Sequence, residues 1–220
     1  MNFKNVTVAG SGVLGYQIAF QTAFHGFKVS VYDINDEVLA KAKAKFFELS
    51  ECYKRDINAT QEQLDNTFNN LSYYSNLAEA VQDADLVIEA VPEDVSIKTD
   101  FYEKLSQVAP AKTIFATNTS GLSIEELASK FSQNLKHRFC GVHFFNPPRY
   151  MHLVELIPCR ETEESCLQDL EYFLVSVLGK GVVRAKDTPN FIANRLGVFS
   201  MLATIANAEK YQLDFATVDD

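Results

Sequence analysis

The sequence lacks a cationic excess: 20 lysine and arginine residues stand against 29 aspartate and glutamate, a formal net charge of −9. Non-specific binding to nucleic acid or to an anionic membrane rests on a cationic field. This balance argues against both, and any anionic ligand must be held by local groups. Zinc-type spacing is missing too. Cys52, Cys140, Cys159 and Cys166 form no CxxC pair and have no histidine at ligand spacing, which speaks against a zinc site. There is no long apolar run. The nearest approach, residues 191–206, is interrupted by Asn194, Arg195 and Thr204 and is too short and too polar to span a bilayer. The first residues show neither an apolar signal core nor an arginine-rich presequence, and with four unpaired thiols this points to a reducing cytosol. Internal repeats and low-complexity segments are absent as well.

What is present is ordinary globular composition, 47% hydrophobic and 22% charged over 220 residues. A chain of this size buries roughly 70% of its unfolded surface and needs no disulfide. Strand-like runs alternate with helical patterns. Strands are expected at 6–9, 28–32, 85–91, 113–116, 139–144, 153–157 and 181–185. Helices are expected at 14–25, 36–55, 95–108 and 163–178, with capping boxes at Thr60/Gln63 and Ser123/Glu126. Such alternation implies right-handed crossovers and an α/β fold with a doubly wound, mostly parallel Rossmann-type sheet.

The character changes at Asp187-Thr188-Pro189. Pro189 suits a first helical position, with Asp187 or Thr188 as cap. The helix that follows is apolar on nearly every side, through Phe191, Ile192, Leu196, Val198, Phe199, Met201, Leu202 and Ile205. A helix of that kind expects to be buried all round. The reading is a sheet domain over 1–186, and over 187–220 the first helices of an all-α domain that the chain leaves incomplete. The alternative is that this helix packs on the sheet or on a second subunit.

The residues with chemistry fall at strand ends. Gly10-Ser11-Gly12-Val13-Leu14-Gly15 follows a strand and opens a helix, and the next strand ends in Asp33. Gly10, Gly12 and Gly15 permit the tight turn, the approach of a pyrophosphate and close helix–strand packing, while Val13 and Leu14 lead into the helix N-terminus. Asp33 suits the ribose hydroxyls, and no cation follows it, which favours NAD over NADP. His143 lies in an apolar strand and is either a satisfied core histidine or a base. Glu155, 12 residues on and also amid apolar neighbours, would pair with it and orient it. Thr117-Asn118-Thr119-Ser120 is a polar loop before a capped helix. Asn194 is either a satisfied core amide or a ligand contact. Lys98 and Arg149 read most simply as members of a solvated face.

Together these segments resemble the L-3-hydroxyacyl-CoA dehydrogenases. The likeness rests on the glycine fingerprint, on Glu89-Ala90-Val91-Pro92-Glu93-Asp94 and on Ala116-Thr117-Asn118-Thr119-Ser120. It also rests on Val142-His143-Phe144-Phe145-Asn146-Pro147 with Glu155, and on Lys186-Asp187-Thr188-Pro189 with the run from Asn190 to Arg195. The segments occur in family order along the whole chain. The resemblance implies oxidation of the 3-hydroxyl of an acyl-CoA with NAD as acceptor. It makes His143 the general base, Glu155 its orienting partner, and Ser120 and Asn194 the groups that hydrogen-bond the substrate oxygens. Glu93, Lys98 and Asn146 match contacts to the nicotinamide half of the cofactor. It also implies a homodimer built through a complete helical domain. The family's CoA-contacting serine and lysine fall near Leu49 and Asp56 in this sequence, so those roles are not carried over.

Overall fold

The computed structural model describes residues 3–219. Strands β1 (Asn5–Ala9), β2 (Lys28–Tyr32), β3 (Leu71–Tyr74), β4 (Leu86–Glu89), β5 (Ile114–Thr117), β6 (Phe139–Phe144), β7 (Leu153–Pro158) and β8 (Gly181–Arg184) form one sheet. Its order is β3-β2-β1-β4-β5-β6-β7-β8. Neighbouring strands run parallel except β6 and β7, which pair antiparallel. Helices α1 (Gly15–Phe24), α2 (Asp36–Ile57), α3 (Gln61–Asn69), α4 (Leu77–Val81), α5 (Val95–Val108), α6 (Ile124–Ala128) and α7 (Glu164–Tyr172) connect them, followed by α8 (Ala193–Lys210) and α9 (Phe215–Asp219). The doubly wound, mostly parallel sheet is the expected fold.

Period-two strands feed two cores. Val8, Ile88 and Ala116 point to one face, where Ile18, Phe20 and Phe46 pack. Ala9, Val87 and Phe115 point to the other, against Phe101, Tyr102 and Leu105. Both faces are covered, as a parallel sheet requires.

The structure departs from the sequence reading at four places. β3 and α4 were not expected: β3 is a short, half-exposed edge strand without the apolar signal of the central ones. The helix expected to Leu178 changes at Phe173 into a wide π turn over Phe173–Val177. At α6 the box is half made. Ser123 Oγ accepts from Glu126 N, but the other donors go to Asp187, whose carboxylate accepts from Ser123 Oγ, Ile124 N and Glu125 N. Asp187 therefore caps α6 and not the helix that follows it in sequence. That helix begins at Ala193 rather than Pro189, because Asn190 and Phe191 take left-handed backbone conformations (φ 62° and 48°) that break the turn.

α8 does not pack on the sheet as the alternative reading had it. Leu196, Phe199, Met201, Leu202 and Ile205 are all exposed, and among its described residues Ala208 is the buried one. No helix among the described residues is long and apolar enough to cross a membrane.

Candidate active site

The glycine turn sits at the carboxyl end of β1, between β2 and β4 in the sheet. Gly10 has φ +95°, and a Cβ there would lie 2.5 Å from Ala90 O. At Gly15 a Cβ would lie 1.8 Å from Gly10 O, so glycine alone lets α1 leave the strand so closely. A Cβ at Gly12 would meet no protein atom, so that side of the turn is open to a ligand. The N-terminus of α1 has no side-chain cap and no acidic residue in its first turn. Such an end offers N–H groups and a positive dipole to a phosphate.

Beside the turn lies a cleft of about 660 Å³ lined by Gly10, Gly12, Val13, Asp33 and the largely apolar walls Ile34, Leu77, Ile97 and Phe101. Asp33 Oδ2 accepts from Ser11 N and Ser11 Oγ at 2.7 and 2.6 Å, and Oδ1 accepts from Ile34 N. The carboxylate is thereby held at the cleft wall. Lys104, which sequence reasoning passed over, also lines the cleft, but it is paired with Asp100 at 2.6 Å. An open glycine turn, an uncapped helix end, a fixed carboxylate and an apolar slot are the parts a dinucleotide requires. The residues present fit NAD.

Across the sheet, β6 and β7 place His143 directly opposite Glu155 in their antiparallel register. The His143 Nδ1 to Glu155 Oε2 distance is 2.7 Å, with both side chains buried. A carboxylate accepts only, so Nδ1 carries the proton and Nε2 of the neutral ring keeps its lone pair. Phe145 and Phe191 pack against the ring, with centroids 4.5 and 5.8 Å away. Glu155 Oε1 accepts from Ile192 N and Ala193 N at 2.9 and 2.8 Å. One carboxylate thus orients the histidine and satisfies the amino end of α8, which carries Asn194. Asn194 Nδ2 in turn donates to Ser120 O at 3.4 Å. The contacts satisfy the core-histidine alternative and the site reading equally; His143 lies near the carboxyl end of β6, the side of an open α/β sheet on which ligands bind.

Ser120 is held by a charged network that starts in the core. Glu89, at the end of β4, accepts from Lys98 Nζ at 2.6 Å, from Thr117 Oγ1 at 2.6 Å and from the Tyr102 hydroxyl. Lys98 also pairs with Glu93 Oε2 at 3.3 Å. Glu93 Oε1 accepts from Thr119 Oγ1, Ser120 N and Ser120 Oγ. Burial pushes the Glu93 carboxyl up, but the Thr119 hydroxyl, the Ser120 amide and the Lys98 ammonium outweigh it and leave it below the ordinary value. Burial, with Glu89 beside it, drives the Tyr102 hydroxyl well above its usual range. The solvated-face reading of Lys98 and Arg149 fails. Lys98 is 1% exposed. Arg149 is nearly buried against Tyr53 and Tyr150, with Nη2 at 2.5 Å from Asp56. Each cation can be buried because a carboxylate from another element meets it, and that contact is invisible in sequence. Glu89 was missed, although the signal was there: a carboxylate closing an apolar strand must be partnered. Asn146 follows β6 through a loop with a cis Asn146–Pro147 bond, and its Oδ1 accepts from Gln17 on α1.

A glycine turn after β1, a phosphate-ready helix end and a histidine–carboxylate pair on β6 and β7 of the same sheet mark a dinucleotide-binding α/β protein of the dehydrogenase type. The chain belongs to the 3-hydroxyacyl-CoA dehydrogenase family: residues 5–188 match the model "3-hydroxyacyl-CoA dehydrogenase, NAD binding domain". It is 37% identical over 223 residues to a probable 3-hydroxyacyl-CoA dehydrogenase of Deinococcus radiodurans, covering all of this chain and 64% of that protein. The chain therefore spans less than two thirds of that relative's length. Among solved structures, M. tuberculosis FadB2 superposes with a TM-score of 0.92 at 30% identity, covering 98% of this chain and 75% of that one. A diketoreductase described as acting on dicarbonyl compounds gives 0.91 at 37% identity, covering 99% and 76%.

Proposed function

We propose that this chain supplies the cofactor half and the general base of an enzyme that oxidises L-3-hydroxyacyl-CoA to 3-oxoacyl-CoA, a step of fatty-acid oxidation. The observation that carries the reading is the buried His143–Glu155 pair, with Nε2 free to accept, in the same sheet as the glycine turn and the cleft that fit NAD. Bound NAD supplies the hydride acceptor. His143 Nε2 takes the proton of the 3-hydroxyl as the C3 hydride leaves. Glu155 holds the ring in that tautomer and stabilises the imidazolium that forms. Ser120 and Asn194 hydrogen-bond the reacting oxygens. Glu93 and Asn146 contact the nicotinamide half, and Lys98, whose ammonium is already engaged by Glu89, Glu93 and Val91 O, acts through Glu93. On the same reading, residues 187–220 open a helical domain and a second copy of the chain is its partner. The setting is a reducing cytosol.

The test is reduction of acetoacetyl-CoA, followed by loss of NADH absorbance. His143→Ala should lower kcat by about 10²–10⁴-fold, the span of one general base, with NADH affinity unchanged. Near-native turnover in that variant would return His143 to the core. NADH binding without turnover in the parent chain would leave a dinucleotide-binding module. The likeness to the diketoreductase supports a second reading, a free dicarbonyl or hydroxy acid such as carnitine as substrate. Faster turnover of a CoA-free substrate would favour it.

A further inference from the structure

Gln17 lies one turn into α1 and is 8% exposed. Its Nε2 donates to Val13 O at 2.6 Å and to Asn146 Oδ1 at 3.2 Å. The first bond determines which way the Gln17 amide faces. A backbone carbonyl only accepts, so the atom facing Val13 is nitrogen. That same nitrogen faces Asn146, and a donor there requires the oxygen of Asn146 opposite it. Amide orientation is settled by such networks of obligatory donors and acceptors, and here one fixed carbonyl determines both amides in sequence.

We infer that Gln17 is a positioning residue that locks the Asn146 carboxamide with its NH2 directed away from α1, as a donor to an acceptor atom of the nicotinamide half of the cofactor. The inference rests on the proposed reading of Asn146 as a cofactor contact. A freely turning amide would offer donor and acceptor alternately at the same place. Locking it selects one, and it ties the loop after His143 to the glycine turn through Val13. Gln17 thereby joins the glycine turn, where the pyrophosphate would sit, to the loop that carries Asn146.

The test compares NADH with ADP-ribose, which lacks the nicotinamide, by titration against the full chain. Gln17→Leu should weaken NADH by about 3- to 10-fold, the usual effect of one hydrogen bond, and leave ADP-ribose unchanged. Gln17→Glu, which accepts where glutamine donates and so turns the Asn146 amide over, should lose at least as much. Gln17→Leu should add nothing to Asn146→Ala, as coupled neighbours require. In the ligand-free protein, the side-chain amide order parameter of Asn146 should fall in Gln17→Leu. Equal losses for both ligands, or an unchanged order parameter, would overturn the inference. Full NADH affinity in Asn146→Ala would overturn the cofactor reading of that residue, while the order parameter still judges the Gln17 contact separately.

Discussion

At the scale of residues, the site is a set of carboxylates each given its partners by a different element. Glu155 serves His143 and the amino end of α8, Asp33 is gripped by Ser11, and Glu93 gathers Lys98, Thr119 and Ser120. Glu93 makes a testable case. Its carboxyl lies below the ordinary value of 4.5 in the folded chain, since Thr119, Ser120 and Lys98 outweigh its burial. A depressed folded value contributes stability that is present above the unfolded value and lost as pH falls through the folded one. Melting temperature should therefore decline on acidification below pH 4.5, and Glu93→Gln should flatten that acid limb. The effect is modest because the side chain is 41% exposed and solvent screens it. A melting curve with the same acid limb in both proteins would show that Glu93 does not contribute to it. The residue types at these positions were readable in sequence; Lys98 and Arg149 were misread, because their carboxylate partners Glu89 and Asp56 come from separate elements.

At the scale of elements, caps placed by sequence logic were right where the cap is local. Thr60 and Gln63 form the full reciprocal box at α3. They were wrong where the cap arrives from far along the chain. Asp187 leaves its own neighbourhood to bond Ser123, Ile124 and Glu125, 62 to 64 residues away. Asp187→Ala should lower stability by about 1–2 kcal/mol, the upper range for a lost cap, read from the midpoint of urea unfolding. A shift in midpoint within error would mean that α6 does not depend on this carboxylate. β3 escaped notice for a related reason: its strand character comes from pairing with β2, not from its own apolar pattern.

At the scale of the whole molecule, two well-filled cores contrast with one bare helix. Phe20, Phe46, Phe115 and Phe139 are fully buried, while Leu196 is 63%, Phe199 71% and Leu202 57% exposed. Contiguous apolar patches of several hundred Å² drive association, and a second copy of the chain presents the same apolar helix. The expected outcome is self-association through α8, seen as an apparent mass that rises along a concentration series in light scattering. Leu196→Glu with Phe199→Lys should abolish it without changing NADH affinity, since neither residue lines the cleft beside the glycine turn and Asp33. A monomer at every concentration would show that this face needs no such partner.

The sequence by itself determined the doubly wound sheet and the glycine turn with Asp33, and it offered His143 and Glu155 as candidate partners. Those features rest on strand periodicity, on backbone space only glycine leaves, and on the cost of burying an unpartnered carboxylate; all three are local or nearly so. Tertiary structure alone decided that β7 runs antiparallel to β6, so that His143 and Glu155 meet across one register step. It also decided that Glu155 and not Asp187 completes the start of α8, and that Gln17 reaches Asn146. Each of these joins groups brought together by chain reversal and strand crossover. The donors and acceptors are written in the sequence, but which of them become neighbours is settled by how the strands are ordered in the sheet.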